Sequence, residues 1–148
     1  LLSPTVDDYS GKGEQQTVTY YQSLAVLILR LGLGTMILLH GIAKILHPDT
    51  LNFIAGKLGQ LGLPEILAYL VYVGEVAAPV MIILGYFNRL GAILIALNMV
   101  AAILLVHTAE LFALTNHGGW ALELQGMFLF AAIVVALLGT GKYALRPD

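Results

Sequence analysis

LGAILIALNMVAAILLV, Leu90–Val106, carries a single polar side chain in seventeen positions, Asn98. A helix that faces water on one side shows a polar stripe, and this stretch shows none however it is turned. With His107 it reaches the roughly 20 mostly apolar residues that cross a hydrocarbon core. This reading decides the fold, because it sets aside a water-soluble four-helix bundle. Working outward, three more runs pass the same test of length and hydropathy: residues 23–46, 66–86 and 120–139. The expectation is an all-α, four-transmembrane-helix bundle over residues 22–148, preceded by a polar N-terminal tail over residues 1–21.

Composition agrees. The 148 residues are 59% hydrophobic and only 11% charged, and the mean hydropathy is +0.87. A soluble domain has about a quarter of its residues charged. The net charge of −2 comes with scattered basic residues and no basic patch, which excludes a nucleic-acid partner. There are no cysteines, so disulfide, thiolate, Fe–S and thiol-relay chemistry are excluded for the chain acting alone. The opening LLSPTVDDYSGKGEQQ has no basic start followed by an apolar run, so it does not read as a signal peptide.

Between the first two spans lies HPDTLNFIAGKLGQLGLPE, residues 47–65. Leu51, Ile54, Leu58 and Leu61 recur at helical spacing, with Asp49 or Thr50 placed to cap and Gly62 and Pro64 to stop the helix. It is too short to span, and reads as an amphipathic helix at the membrane surface. Orientation follows the basic residues of short loops. Lys12, Arg89, Lys142 and Arg146 fall on one side, with Lys57 and Lys44 towards the other. The expected arrangement has both termini in the cytoplasm.

The ionisable groups inside the spans carry the functional question. RLGLGTMILLHGIAKIL, Arg30–Leu46, holds Arg30, His40 and Lys44 in an otherwise apolar run. His40 and Lys44 stack one turn apart, and Arg30 lies nearly four full turns from Lys44, on the same side. Span two brings Glu75, span three ends at His107, and span four opens near Glu123. An unpaired charge in lipid costs about 3 kcal/mol, so these groups are expected to point inward and pair, Arg30 with Glu75 and Lys44 with Glu123. Pro79 takes the helical donor from the Glu75 carbonyl. That loosens the chain beside a carboxylate, with the Tyr72 and Tyr69 phenols on the same face. Gly32, Gly34, Gly41, Gly74 and Gly126 are suited to close helix approach.

His40 and His107 sit at similar depth on two helices, which raises haem ligation. With Glu123 they also match zinc ligand types, though no tight motif supports either. Hydrogen bonding or proton carriage is the commoner role of such histidines.

The collected motifs resemble the DoxX-like family of small integral membrane proteins. The matching pieces are RLGLGTMILLHGIAKIL, YVGEVAAPVMIILGYFNRLGA (residues 72–92), HTAELF (107–112) and GGWALELQGMFLFAAIVVALLGTGKYAL (118–145). The resemblance implies a four-helix bundle of a prokaryotic plasma (inner) membrane, acting as an accessory or quinone-facing subunit of a respiratory or quinone-linked oxidoreductase complex. Carried over by position, its motif residues are Arg30, His40, Lys44, Glu75, His107 and Glu123. With Tyr72 these are the candidate residues of a ligand or quinone pocket. No intrinsic cofactor is expected, and the expected ligand is quinone or a bound lipid. The expected partners are membrane lipid and other subunits of a redox complex. The rival expectations are a structural or assembly subunit and, ranked below it, a small-solute or proton pathway.

Overall fold

The computed structural model describes residues 6–148, with side chains from Gly13 onward except those of residues 14, 17 and 18. Residues 1–5 of the expected tail lie outside the described residues. The described chain is all-α, with five helices: α1 Val6–Leu46, α2 Asp49–Gln60, α3 Glu65–Leu84, α4 Asn88–Val106 and α5 Glu123–Leu138. Three stretches are long and apolar enough to cross a membrane: Thr19–Leu46 within α1, all of α3 and all of α4. The fourth apolar helix, α5, has 16 residues. It starts later than the sequence indicates because Trp120 pairs with Leu114 and Ala121 N–H donates to the Ala113 carbonyl at 3.0 Å. Those bonds hold the residues before α5 in a closed loop.

α4 explains its own sequence. Asn88, Gly91, Ala92, Ile95 and Met99 are buried along one face, whereas Leu90, Ile93, Leu97, Val100 and Leu104 are exposed along the other. Both faces are apolar, as a helix between a protein core and lipid requires. The central core joins four helices through Leu33 and Ile37 of α1, Ile82 of α3, Ile95 and Met99 of α4, and Phe128 and Val135 of α5.

α2 has its own small core, in which Leu51 and Leu58 pack with Ala68 and, at its edge, Val71, Tyr72 and Leu105. Three details depart from the sequence reading. Neither Asp49 nor Thr50 caps α2, whose N-cap is Pro48 with no side-chain cap bond. Leu61 is exposed rather than part of the apolar face. The polar stretch from Val6 onward is helical and continuous with the first span.

α3 is not one regular helix. Glu65–Tyr69 is a 3-10 turn, Val73–Ala77 a π turn, and Ala78–Leu84 is α-helical with Pro79 in its first turn. The wide turn sits where Pro79 withholds its N–H, and a π turn is a place where a helix re-aims a side chain. The turned-out segment contains Glu75.

Two glycines let neighbours close on that turn. A Cβ at Gly41 of α1 would collide with the Glu75 carbonyl and Val76, and one at Gly74 would collide with Asn98 of α4. Gly34 and Gly126 also face close neighbours, Ile83 and Trp120 respectively, whereas Gly32 has open space and plays no such part. Gly41→Ala should therefore lower thermal stability in detergent by about 1–3 kcal/mol, the usual range for overpacking. Gly32→Ala should leave it unchanged or higher. Equal effects at the two positions would contradict the close approach of α1 to α3.

Candidate functional site: a polar cluster in an apolar cavity

A cavity of about 600 Å³ lies among the five helices. Its walls are mostly apolar, including Ile37, Phe53, Leu94, Leu97, Leu105 and Phe128, and its polar lining is His40, Lys44, Thr50, Glu75, Asn98, His107 and Gln125. That volume falls in the range of small-molecule and cofactor sites.

The cluster at its wall joins three helices. The Lys44 ammonium of α1 donates to Glu75 Oε2 of α3, and Asn98 Nδ2 of α4 donates to Glu75 Oε1 at 3.1 Å. The side chains of Lys44 and Glu75 are only 17% and 6% exposed, so the pair is withdrawn from solvent. A buried ion pair is tolerable only when further hydrogen bonds complete it, and Asn98 supplies one. The Tyr72 hydroxyl donates to the Lys44 carbonyl at 3.4 Å. Tyr72 supports the backbone here but is not among the residues lining the cavity.

His107 marks another part of the lining. Its Nδ1 lies 2.8 Å from Glu110 Oε2, and its Nε2 lies 3.4 Å from Gln125 Nε2 of α5. His40 turns Nδ1 to the Met36 carbonyl at 2.8 Å and sets its ring edge-on to Phe128, with centroids 5.7 Å apart.

Both expected ion pairs are corrected. Lys44, not Arg30, meets Glu75. Arg30 is completely buried, pairs with no carboxylate in hydrogen-bond contact among the described residues, and does not line the cavity. Its Nε donates to the Ile82 carbonyl at 2.8 Å, and its Nη1 donates to the carbonyls of Thr140 and Tyr143, each at 2.7 Å. Nη2 reaches the Ile83 carbonyl at 3.3 Å. These acceptors include orphan carbonyls at the C-terminal end of α3, where the helix dipole favours a cation. Arg30 therefore fastens α1 to the end of α3 and to the C-terminal segment.

Glu123 is exposed at the start of α5 and lines no part of the cavity, so it does not reach Lys44. Among the described residues no group of three or more His, Asp or Glu side chains is placed to hold a metal ion. His40, His107 and Glu123 thus do not assemble the zinc set that their residue types allow. Glu110 and Gln125 are additions that the sequence reading did not select. Asn98 did carry a signal, as the lone amide of an apolar span.

Comparison with known proteins follows the same lines. Over 125 residues the chain is 30% identical to "Putative oxidoreductase CatD" of Bacillus subtilis, covering 84% of this chain and 86% of that protein. It is 32% identical over 130 residues to an uncharacterised membrane protein of Mycobacterium tuberculosis, covering 82% and 78% respectively. An uncharacterised protein of Haemophilus influenzae is 30% identical over 115 residues. No solved structure matches the chain significantly. The DoxX family model matches residues 25–108, the segment that supplies Arg30, Gly41, Lys44, the Glu75 turn, Asn98 and His107. A membrane protein by its apolar helices and by its relatives, the chain belongs to the DoxX family.

Proposed function

We propose that the chain is an integral membrane subunit of a quinone-linked oxidoreductase complex, and that its cavity takes the quinone. The observation that carries this reading is the cavity itself, an apolar slot with the Lys44–Glu75–Asn98 cluster on its wall. A lipid-soluble quinone needs an apolar enclosure together with groups that donate and accept hydrogen bonds at its oxygens. The oxidoreductase name of the Bacillus subtilis relative supports the class. Electrons come from a partner subunit, and the chain contributes the site and its protons. In this reading α5 is a fourth span and α2 lies at the outer membrane surface. The termini are in the cytoplasm, and the membrane is a prokaryotic inner membrane.

Glu75→Gln keeps the shape of the side chain and removes its proton chemistry. In the complex purified from native membranes, quinone-dependent turnover should fall about a hundredfold, the lower end of what a positioned acid–base group contributes. The complex should remain assembled. Unchanged turnover would exclude Glu75 from proton transfer.

A second reading is favoured by one observation. The same cluster ties α1, α3 and α4 together, which is what a purely structural or assembly subunit requires. It predicts loss of assembly, with no catalytic defect in the complex that survives.

A further inference from the structure

Two neighbouring groups in the cavity keep unused hydrogen-bonding capacity of opposite kind. The first is His40. Its Nδ1 faces the Met36 carbonyl at 2.8 Å, and a carbonyl only accepts, so Nδ1 carries the hydrogen. In the neutral ring Nε2 is then an acceptor, fixed by the bond that the other nitrogen makes. Among the described residues nothing donates to Nε2, and the ring is held edge-on by Phe128.

The second is Lys44. An ammonium has three N–H donors. One is taken by Glu75, and no other acceptor among the described residues meets the rest. Asn98 donates to Glu75 through Nδ2 and receives no donor at Oδ1 among the described residues. Lys44 and Glu75 cancel in charge, so this wall attracts no net anion or cation.

His40 and Lys44 are four residues apart on one face of α1, about 6 Å along the axis. A ligand with oxygens at opposite ends can therefore meet one residue with each. Both residues line the same cavity, whose walls are mostly apolar.

We propose that the cavity selects a neutral 1,4-dioxygenated aromatic ring bearing at least one free hydroxyl. The hydroxyl donates to His40 Nε2, and the opposite oxygen accepts from the Lys44 ammonium. The site thus prefers the reduced form of the ligand to the fully oxidised one. This rests on the quinone-site reading of the cavity and deepens it, because it assigns His40 as the group that reads the hydroxyl.

The test is binding of two air-stable probes to the full chain in lipid nanodiscs, corrected for partition into protein-free discs. 4-Methoxy-1-naphthol keeps one hydroxyl, and 1,4-dimethoxynaphthalene keeps the apolar body and has none. The naphthol should bind about tenfold tighter, the worth of one hydrogen bond. His40→Phe should abolish that difference between the two probes, and His40→Gln, which restores an acceptor, should recover part of it. Equal binding of the two probes to the unmodified chain, a comparison that needs no variant, overturns the inference and leaves the quinone site standing. A tenfold difference that survives in His40→Phe also overturns it. If neither probe binds, the inference falls, and if a quinone also binds the chain no better than it partitions into protein-free discs, the quinone-site reading falls with it.

Discussion

Replacing Arg30 with Met lowers the stability of the chain by at least about 3 kcal/mol, measured by SDS-driven unfolding in mixed micelles. The side chain is fully buried and its guanidinium satisfies four carbonyls from two separate segments. Each buried acceptor left without a donor costs about 1–3 kcal/mol, and the contacts to the Ile82 and Thr140 carbonyls are buried. Arg30→Lys recovers less than half of the loss. An ammonium at the end of a flexible stem does not reproduce a planar fork that reaches α3 and the C-terminal segment at once. A loss below about 1 kcal/mol for Arg30→Met would mean that this cage is not holding the bundle together.

Lys44→Met lowers stability by about 3–5 kcal/mol, because it leaves Glu75 charged and buried without its partner. Glu75→Gln does the same from the other side, somewhat less, since Asn98 retains an acceptor. Combining the two regains most of the stability, as expected for residues in direct contact. It does not regain quinone-dependent turnover. This combination separates the two functional readings: a structural cluster would recover stability and turnover together, whereas a working site recovers stability alone. Strictly additive losses would contradict the ion pair.

The positions of these groups were legible in the sequence, but their partners were not. An apolar run with one amide, Leu90–Val106, already required a helix between core and lipid. Gly41, Gly74 and Pro79 marked where α1, α3 and α4 come together, and all three bear on the Glu75 turn. The pairings failed for a physical reason. Helical side chains lean towards the N-terminus of their own helix, so Lys44 drops about one turn, to the level of Gly41, where the Glu75 backbone lies. Arg30 drops away from Glu75, towards the end of α3. Its acceptors are main-chain carbonyls, which no side-chain pattern reveals, although any helix end offers them.

The cavity was less legible than the cluster. Its wall draws on α2, through Thr50, Phe53, Ile54 and Leu58, and on the irregular geometry of α3. Both depend on tertiary packing rather than on hydropathy. Glu123 shows the opposite error. Depth along the span placed it near Lys44, but the closed loop before α5 sets its direction, and it faces outward.

The most direct measurement of the central claim is photoaffinity labelling of native membranes with an azido-substituted naphthoquinone, followed by peptide mapping. The account predicts adducts on cavity-lining positions withdrawn from lipid, such as Leu105 and Phe128, and their loss when unlabelled quinone competes. Labelling confined to lipid-facing positions such as Ile28 and Leu137, and insensitive to competition, would contradict a quinone site in this chain.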